Sequence, residues 1–419
     1  MDDQLILGKD QYYSRNSYET KLNNNVLVIG CSGSGKTTSI LRPNIINENG
    51  SFVVSDPKGT LHSLYEKYLR EKGYSVIEID FTNPAHTHHF NPIEFCKTTK
   101  EINKLAHRLA WEDGKYLYTH DPYWNQNVEI LLTAIISFQH EAKDLFSLKG
   151  NIPELIELLR KCVSSKGVLS DFWQMLSRLD ANMGTTSYAK QKFQELSQVP
   201  EKTYNCIIST AFGKFANYDD LEIRELLRQN DLDFTVFGKE KTALFIKVSD
   251  HDRTYDGLVN LLYAQIFDSL IELADAKQND RLEVPVTIYL DDFATNCRID
   301  NFQNVISNIR SRNISTTIFI QSQSQLVSCY GNDSQTIVDN CDSMVYLGGM
   351  NPETAREISI RTDKPFQKIL NMRLDECIVF RRGQKPVFTE KFNIWEYERK
   401  LFGKTAEEMQ IEKEETIYG

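Results

Sequence analysis

The chain has 419 residues, 41% of them hydrophobic, with a formal net charge of −10 and a pI near 5.4. That length suits two substantial units or one large unit with an insertion. The acidic balance excludes a generic polyanion binder, although local basic patches can still contact DNA. The 8 cysteines are scattered without a CxxC pair, as in a reduced protein rather than a disulfide scaffold. There is no signal peptide and no unbroken apolar run of about 18 residues, so no membrane span is expected.

In chain order, the first apolar run is Val26–Ile29. It leads into Gly30-Cys31-Ser32-Gly33-Ser34-Gly35-Lys36-Thr37, with Thr38 opening a helical stretch. This is the strand, glycine loop and helix order of a P-loop. The glycines let successive N–H groups curl around phosphate oxygens, and the positive end of the next helix adds to that field. Gly30, Ser32, Gly33, Ser34, Gly35, Lys36, Thr37 and Thr38 are therefore the candidate nucleotide-binding residues. Lys36 would reach the β- and γ-phosphates, and the Thr37 hydroxyl would ligate Mg²⁺. Cys31 reads as a small residue within the loop.

Further short runs, rich in β-branched residues, follow at Phe52–Val54, Val76–Ile79, Leu244–Val248, Val286–Leu290, Thr316–Ile320, Met344–Leu347 and Cys377–Phe380. Runs of this kind predict buried strands of a mostly parallel sheet in an α/β fold. Ser55-Asp56-Pro57-Lys58-Gly59 closes the second run; its charges either flank phosphates or make the turn. His86, His88 and His89 read as a polar loop. The stretch from about Cys96 to Asp233 carries long amphipathic patterns, such as Asn125–Gln139 and Pro153–Lys161, and a helix start at Pro200. A single crossover of that length is unusual, so an inserted all-α domain is expected. The expected boundaries are residues 1–95 and 236–399 for the nucleotide-binding domain, 96–235 for the insert and 400–419 for a charged tail.

Thr287-Ile288-Tyr289-Leu290-Asp291-Asp292-Phe293 has the Walker B pattern. Asp291 would hold Mg²⁺, and Asp292 would orient or deprotonate the attacking water. Gln321 ends another strand, where its amide can bridge a γ-phosphate or water to a neighbouring surface. Arg310 and Arg312 follow an expected helix at Asn301–Ile309. Either can act as an arginine finger on a neighbouring subunit or make a surface ion pair.

With these segments in order, and with Phe90-Asn91-Pro92 and Gly348-Gly349 added, the chain resembles the type IV secretion coupling proteins, the VirD4/TraG/TraD family of conjugation ATPases, in its Gram-positive branch. The resemblance runs from about Leu7 to Trp395. It implies a RecA-like P-loop domain plus an all-α domain, ATP and Mg²⁺ as ligands, and a homo-oligomer that is hexameric when active. It also implies DNA and relaxase or relaxosome proteins as cargo, with a membrane-anchored secretion channel component as docking partner. Gln321 falls at the family's glutamine sensor.

Two departures stand out. Asp292 replaces the family's usual Glu and is one methylene shorter, which predicts a slow intrinsic ATPase that Asp292→Glu would raise. The P-loop also begins at Gly30, leaving no room for the membrane helices that open many family members. Either the sequence is trimmed from a longer protein, or the natural protein is a soluble cytoplasmic form docked at the membrane through a partner, and the second is the expectation. An ATP-driven DNA translocase is the leading reading. An ATP-ordered docking receptor for protein cargo is the alternative, and a small-substrate kinase fits the helical insert and Gln321 poorly.

Overall fold

The computed structural model describes residues 3–111, 121–163, 170–249, 251–291, 293 and 298–403. Residues 404–419 of the expected tail lie outside these. Eleven strands are formed among the described residues: β1 (Gln4–Gly8), β2 (Gln11–Ser14), β3 (Val26–Ile29), β4 (Ser51–Ser55), β5 (Ser75–Asp80), β6 (Thr242–Lys247), β7 (Val286–Leu290), β8 (Ile314–Ile320), β9 (Ser343–Tyr346), β10 (Glu376–Arg381) and β11 (Val387–Glu390). The chain divides into two units: residues 1–78, 233–250 and 266–419 form one, and residues 79–232 and 251–265 the other.

The first unit is built on a nine-stranded sheet in the order β11-β10-β9-β3-β8-β7-β4-β6-β5. The run from β9 through β3, β8, β7 and β4 to β6 is parallel. Strands β10 and β11 add an antiparallel edge. Every residue of β3, β4, β7, β8 and β9 is buried. Strands covered on both faces are mostly apolar, which is why the expected runs stand out in the sequence, and each of the eight falls on one of the strands β3 to β10. One face packs Val26, Val28, Phe52, Val54 and Phe245 under Ile40, Leu41, Ile45 and Tyr65.

Strands β1 and β2 form a separate antiparallel hairpin. It is fastened by Asn44, whose side-chain amide accepts from the Ile6 N–H and donates to the Ile6 and Ile40 carbonyls at 2.7–2.9 Å. Arg15, just past β2, pairs with the buried Glu48 at 3.2 Å. Tyr289 on β7 donates to the same carboxylate at 2.7 Å.

The second unit is helical. Helix Thr99–Ala110 opens with a reciprocal Thr98–Glu101 capping box. Helices Ile152–Lys161, Asp171–Met183 and Tyr188–Ser197 start at Asn151, Ser170 and Ser187 caps. Pro200 opens helix Glu201–Phe215. The core is a relay of rings, Phe138 on Phe172 at 5.2 Å, Phe172 on Phe193 at 5.1 Å and Phe193 on Tyr204 at 6.5 Å, in edge-on geometry. His89 pairs with Asp231 at 2.5 Å and also meets Gln229.

Among the described residues one helix, Asp256–Asp275, is long and apolar enough to cross a membrane. Its Leu258, Leu262, Ile266 and Leu270 recur every four residues and are fully buried, as in a core helix of a globular protein. Asn260, Gln265, Asp268 and Glu272 interrupt its apolar pattern.

Candidate nucleotide site

The glycine loop leaves the carboxyl end of β3, where ligands of open parallel sheets bind. The Gly30 N–H donates to the Ile320 carbonyl at 3.1 Å, tying the loop's first residue to the end of β8. A Cβ on Gly30 would stand 2.3 Å from the Ser34 Oγ, so the loop closes only around glycine. Gly35 has φ +86°, a left-handed conformation costly for other residues. Beyond Lys36 the chain enters a π-helical turn, Thr37–Leu41, in which the Arg42 N–H bonds to the Thr37 carbonyl. Pro43 follows and has no N–H to continue regular pairing, so the wide turn absorbs it.

Lys36, a residue only 8% exposed, donates its ammonium to the Gly30 carbonyl at 3.0 Å and the Cys31 carbonyl at 3.4 Å. The Thr37 hydroxyl donates to Asp291 Oδ2 at 3.3 Å, bringing the two expected Mg²⁺ ligands together. A hydroxyl and a carboxylate are the hard oxygen donors that Mg²⁺ takes. The Ser34 Oγ is buried with no hydrogen-bond partner among the described residues, a polar atom in the loop that a phosphate oxygen would satisfy. The residues present therefore fit a nucleotide phosphate with its metal. Asp292 lies outside the described residues.

Gln321 ends β8 beside the loop, and its N–H donates to Gln325 Oε1 at 2.9 Å. On β4, Val54 pairs with Tyr289, so Asp56 lies two residues past that pair, as Asp291 does on β7. The Asp56 carboxylate accepts the His62 N–H at 2.9 Å, and the Asp56 carbonyl accepts the Gly59 N–H at 3.0 Å. Asp56 thus makes the turn into helix Thr60–Glu71, and burial pushes its carboxyl above the usual carboxylate range. Lys58 is exposed.

Arg310 and Arg312 do not join this group. They precede β8 and so lie at its amino end, across the sheet from the loop. Arg312 grips Asp275 with two bonds, at 2.6 and 3.1 Å. Arg310 is exposed and donates to the Lys21 carbonyl at 2.8 Å. It opens onto a cleft of about 620 Å³ shared with Tyr18 and Arg281.

One contact at the loop has no signal in the sequence. Lys391, immediately after β11, donates its ammonium to the Ser34 carbonyl at 2.8 Å. Burial pulls this lysine below the usual ammonium range. Farther along, helix Ile394–Phe402 buries Glu398 completely against Arg42, which follows the π-helical turn. The guanidinium meets that carboxylate at 2.6 and 3.2 Å and Tyr65 at 2.7 Å, and Trp395 lies 4.8 Å over it. Tyr65 also donates to Glu398.

A parallel sheet whose glycine loop carries a lysine and sets a threonine against the acid ending a nearby strand defines the P-loop nucleoside triphosphatase fold. Within that class, the chain belongs to the type IV secretory system conjugative DNA transfer family, whose model matches residues 1–364. It is 23% identical over 376 residues to the conjugal transfer protein TraG of Escherichia coli, covering 84% of this chain and 56% of that protein. TraG of Rhizobium radiobacter is 21% identical over 412 residues, 86% of this chain and 60% of that protein. The chain thus spans somewhat more than half the length of these relatives. The bacterial conjugative coupling protein TrwBdeltaN70, solved in a trigonal form with sulphate, shares the fold. Its TM-score is 0.66 at 15% identity, over 88% of this chain and 85% of that one. Plasmid coupling protein TrwB in complex with the non-hydrolysable ATP analogue ADPNP aligns with a TM-score of 0.63 at 15% identity over the same shares.

Proposed function

We propose that this protein is an ATP-driven coupling protein that moves DNA, alone or with its relaxase, towards a secretion channel. The observation that carries the proposal is the meeting of Thr37 with Asp291 beside Lys36, in a chain of the conjugative DNA transfer family. ATP and Mg²⁺ are the ligands this reading assigns to the site. Gly30 to Thr38 hold the phosphates, Lys36 offsets charge on their outer oxygens, and Thr37 and Asp291 hold the metal. When bound, Mg²⁺ supplies further charge neutralisation during phosphoryl transfer. Asp292 orients water, its short side chain keeping turnover slow, and Gln321 relays the state of the γ-phosphate end to the surface. A membrane-anchored channel component provides the docking point at the cytoplasmic face.

An arginine at the amino end of a seven-residue strand stands roughly 20 Å from its own loop, at about 3.3 Å per residue. Arg310 can therefore serve only a neighbour's nucleotide, which fits a ring, the hexamer of the family resemblance. Arg312 is already committed to Asp275. Arg310→Ala is expected to lower turnover of the assembled protein by roughly 10³-fold while leaving ATP affinity in place. Arg312→Ala should cost far less. Equal losses in steady-state assays of the two variants would remove Arg310 as the finger.

The functional test is plasmid transfer from a donor lacking this gene. Transfer restored by the wild-type gene but not by Lys36→Ala is the expected result, and full transfer with Lys36→Ala would refute an ATP-driven role. Net charge and Asp292 favour the docking-receptor alternative, in which turnover responds to cargo protein rather than DNA.

A further inference from the structure

Lys391 and Lys36 each bind carbonyls of the phosphate loop. Lys36 takes those of Gly30 and Cys31, and Lys391 takes that of Ser34. The Ser34–Gly35 peptide is able to turn over. Its rotation is taken up by ψ of Ser34 and φ of Gly35, and Gly35, at φ +86°, has the freedom of a glycine, which adopts positive and negative φ about equally well. In a planar trans peptide the carbonyl and the following N–H point in opposite directions. Fixing the Ser34 carbonyl on one side therefore fixes the Gly35 N–H on the other.

We infer that Lys391 is a positioning residue of the nucleotide site, holding the Ser34–Gly35 peptide so that the Gly35 N–H faces the phosphate seat. A loop with this peptide reversed would offer the phosphates a carbonyl oxygen in place of a donor. The ammonium comes from a fixed frame. The Lys391 N–H bonds to the Asp375 carbonyl at 2.7 Å. The adjoining Phe392 ring is set edge-on to Tyr12 at 6.5 Å and Tyr397 at 5.5 Å. The hairpin of β10 and β11 thus sets the shape of a loop far away in sequence, before nucleotide arrives.

The inference rests on the nucleotide reading of the loop, and the test separates the two. Mg²⁺-ATP affinity and steady-state kinetics are measured for Lys391→Met, which keeps the length and removes the donor, for Lys391→Arg, and for Lys36→Ala. Lys391→Met is expected to weaken ATP affinity about tenfold, with the loss falling on KM rather than kcat, and Lys391→Arg to recover most of it. Affinity within twofold of wild type in Lys391→Met, with Lys36→Ala losing ATP, would overturn the inference alone. Loss of thermal stability in Lys391→Met, with no recovery of affinity in Lys391→Arg, would also overturn it, because Lys391 would then be structural. Undiminished ATP affinity in Lys36→Ala would remove the nucleotide reading and this inference with it.

Discussion

Lys36→Ala is expected to weaken Mg²⁺-ATP binding by roughly 100-fold or more and to bring turnover to background. Lys36 is nearly buried, and among the described residues its ammonium bonds to loop carbonyls, at 3.0 and 3.4 Å. It is thus held at the centre of the loop, where phosphates would take over its bonds. A hydrogen bond to a charged group is worth about 1.5–3 kcal/mol, and one ammonium can serve two phosphate oxygens. The loss lies in binding and chemistry rather than folding, because the Cys31 to Gly33 tip of the loop is exposed and truncating the long side chain leaves room for water to reach the two carbonyls. Equilibrium titration with ATP, alongside a melting curve, checks both statements. A variant that kept wild-type affinity would mean that the phosphates bind elsewhere.

Glu398→Ala is expected to destabilise the protein by about 3–5 kcal/mol, the largest single-residue stability effect in the account. The carboxylate is fully buried and takes the Arg42 guanidinium at 2.6 Å, with Tyr65 completing the set. Removing one member of a buried pair strands the other charge without water, and that penalty, rather than the net worth of the pair, sets the size of the effect. Glu398→Gln, which keeps the shape and one acceptor, should cost less. Urea unfolding monitored by circular dichroism provides the measurement, and a change below about 1 kcal/mol would mean that Arg42 finds another partner. Arg42 donates its N–H to the Thr37 carbonyl, so the same change should also loosen the turn that carries Thr37, the proposed metal ligand.

Much of this architecture is legible in the sequence. Strands covered on both faces cannot hide their apolar runs, and β3 to β10 are read directly. Strands β2 and β11 are not, because partial exposure gives them mixed composition, as in Gln11-Tyr12-Tyr13-Ser14, and β1 is missed although it is buried from Leu5 to Gly8. The meeting of Thr37 with Asp291 beside the loop lysine Lys36 is foreshadowed by the Walker patterns, whose residue types and spacing stand out in the sequence. Asp56 is ambiguous in the sequence, since a strand-end carboxylate suits either a ligand or a cap; the His62 N–H decides for the cap. Lys391 and Glu398 carry no signal of any kind. Their partners lie 357 and 356 residues away, and a half-buried lysine after an edge strand has the same local sequence as a solvated one.

The measurement closest to the central claim is ATP turnover of the assembled protein with and without single- and double-stranded DNA, at two salt concentrations, with Lys36→Ala as the blank. A DNA motor predicts stimulation by at least one DNA form, which weakens as salt rises because phosphate contacts are lost to counterions, and which is absent in the blank. Turnover unchanged by either DNA, at concentrations where the subunits assemble, would contradict the account.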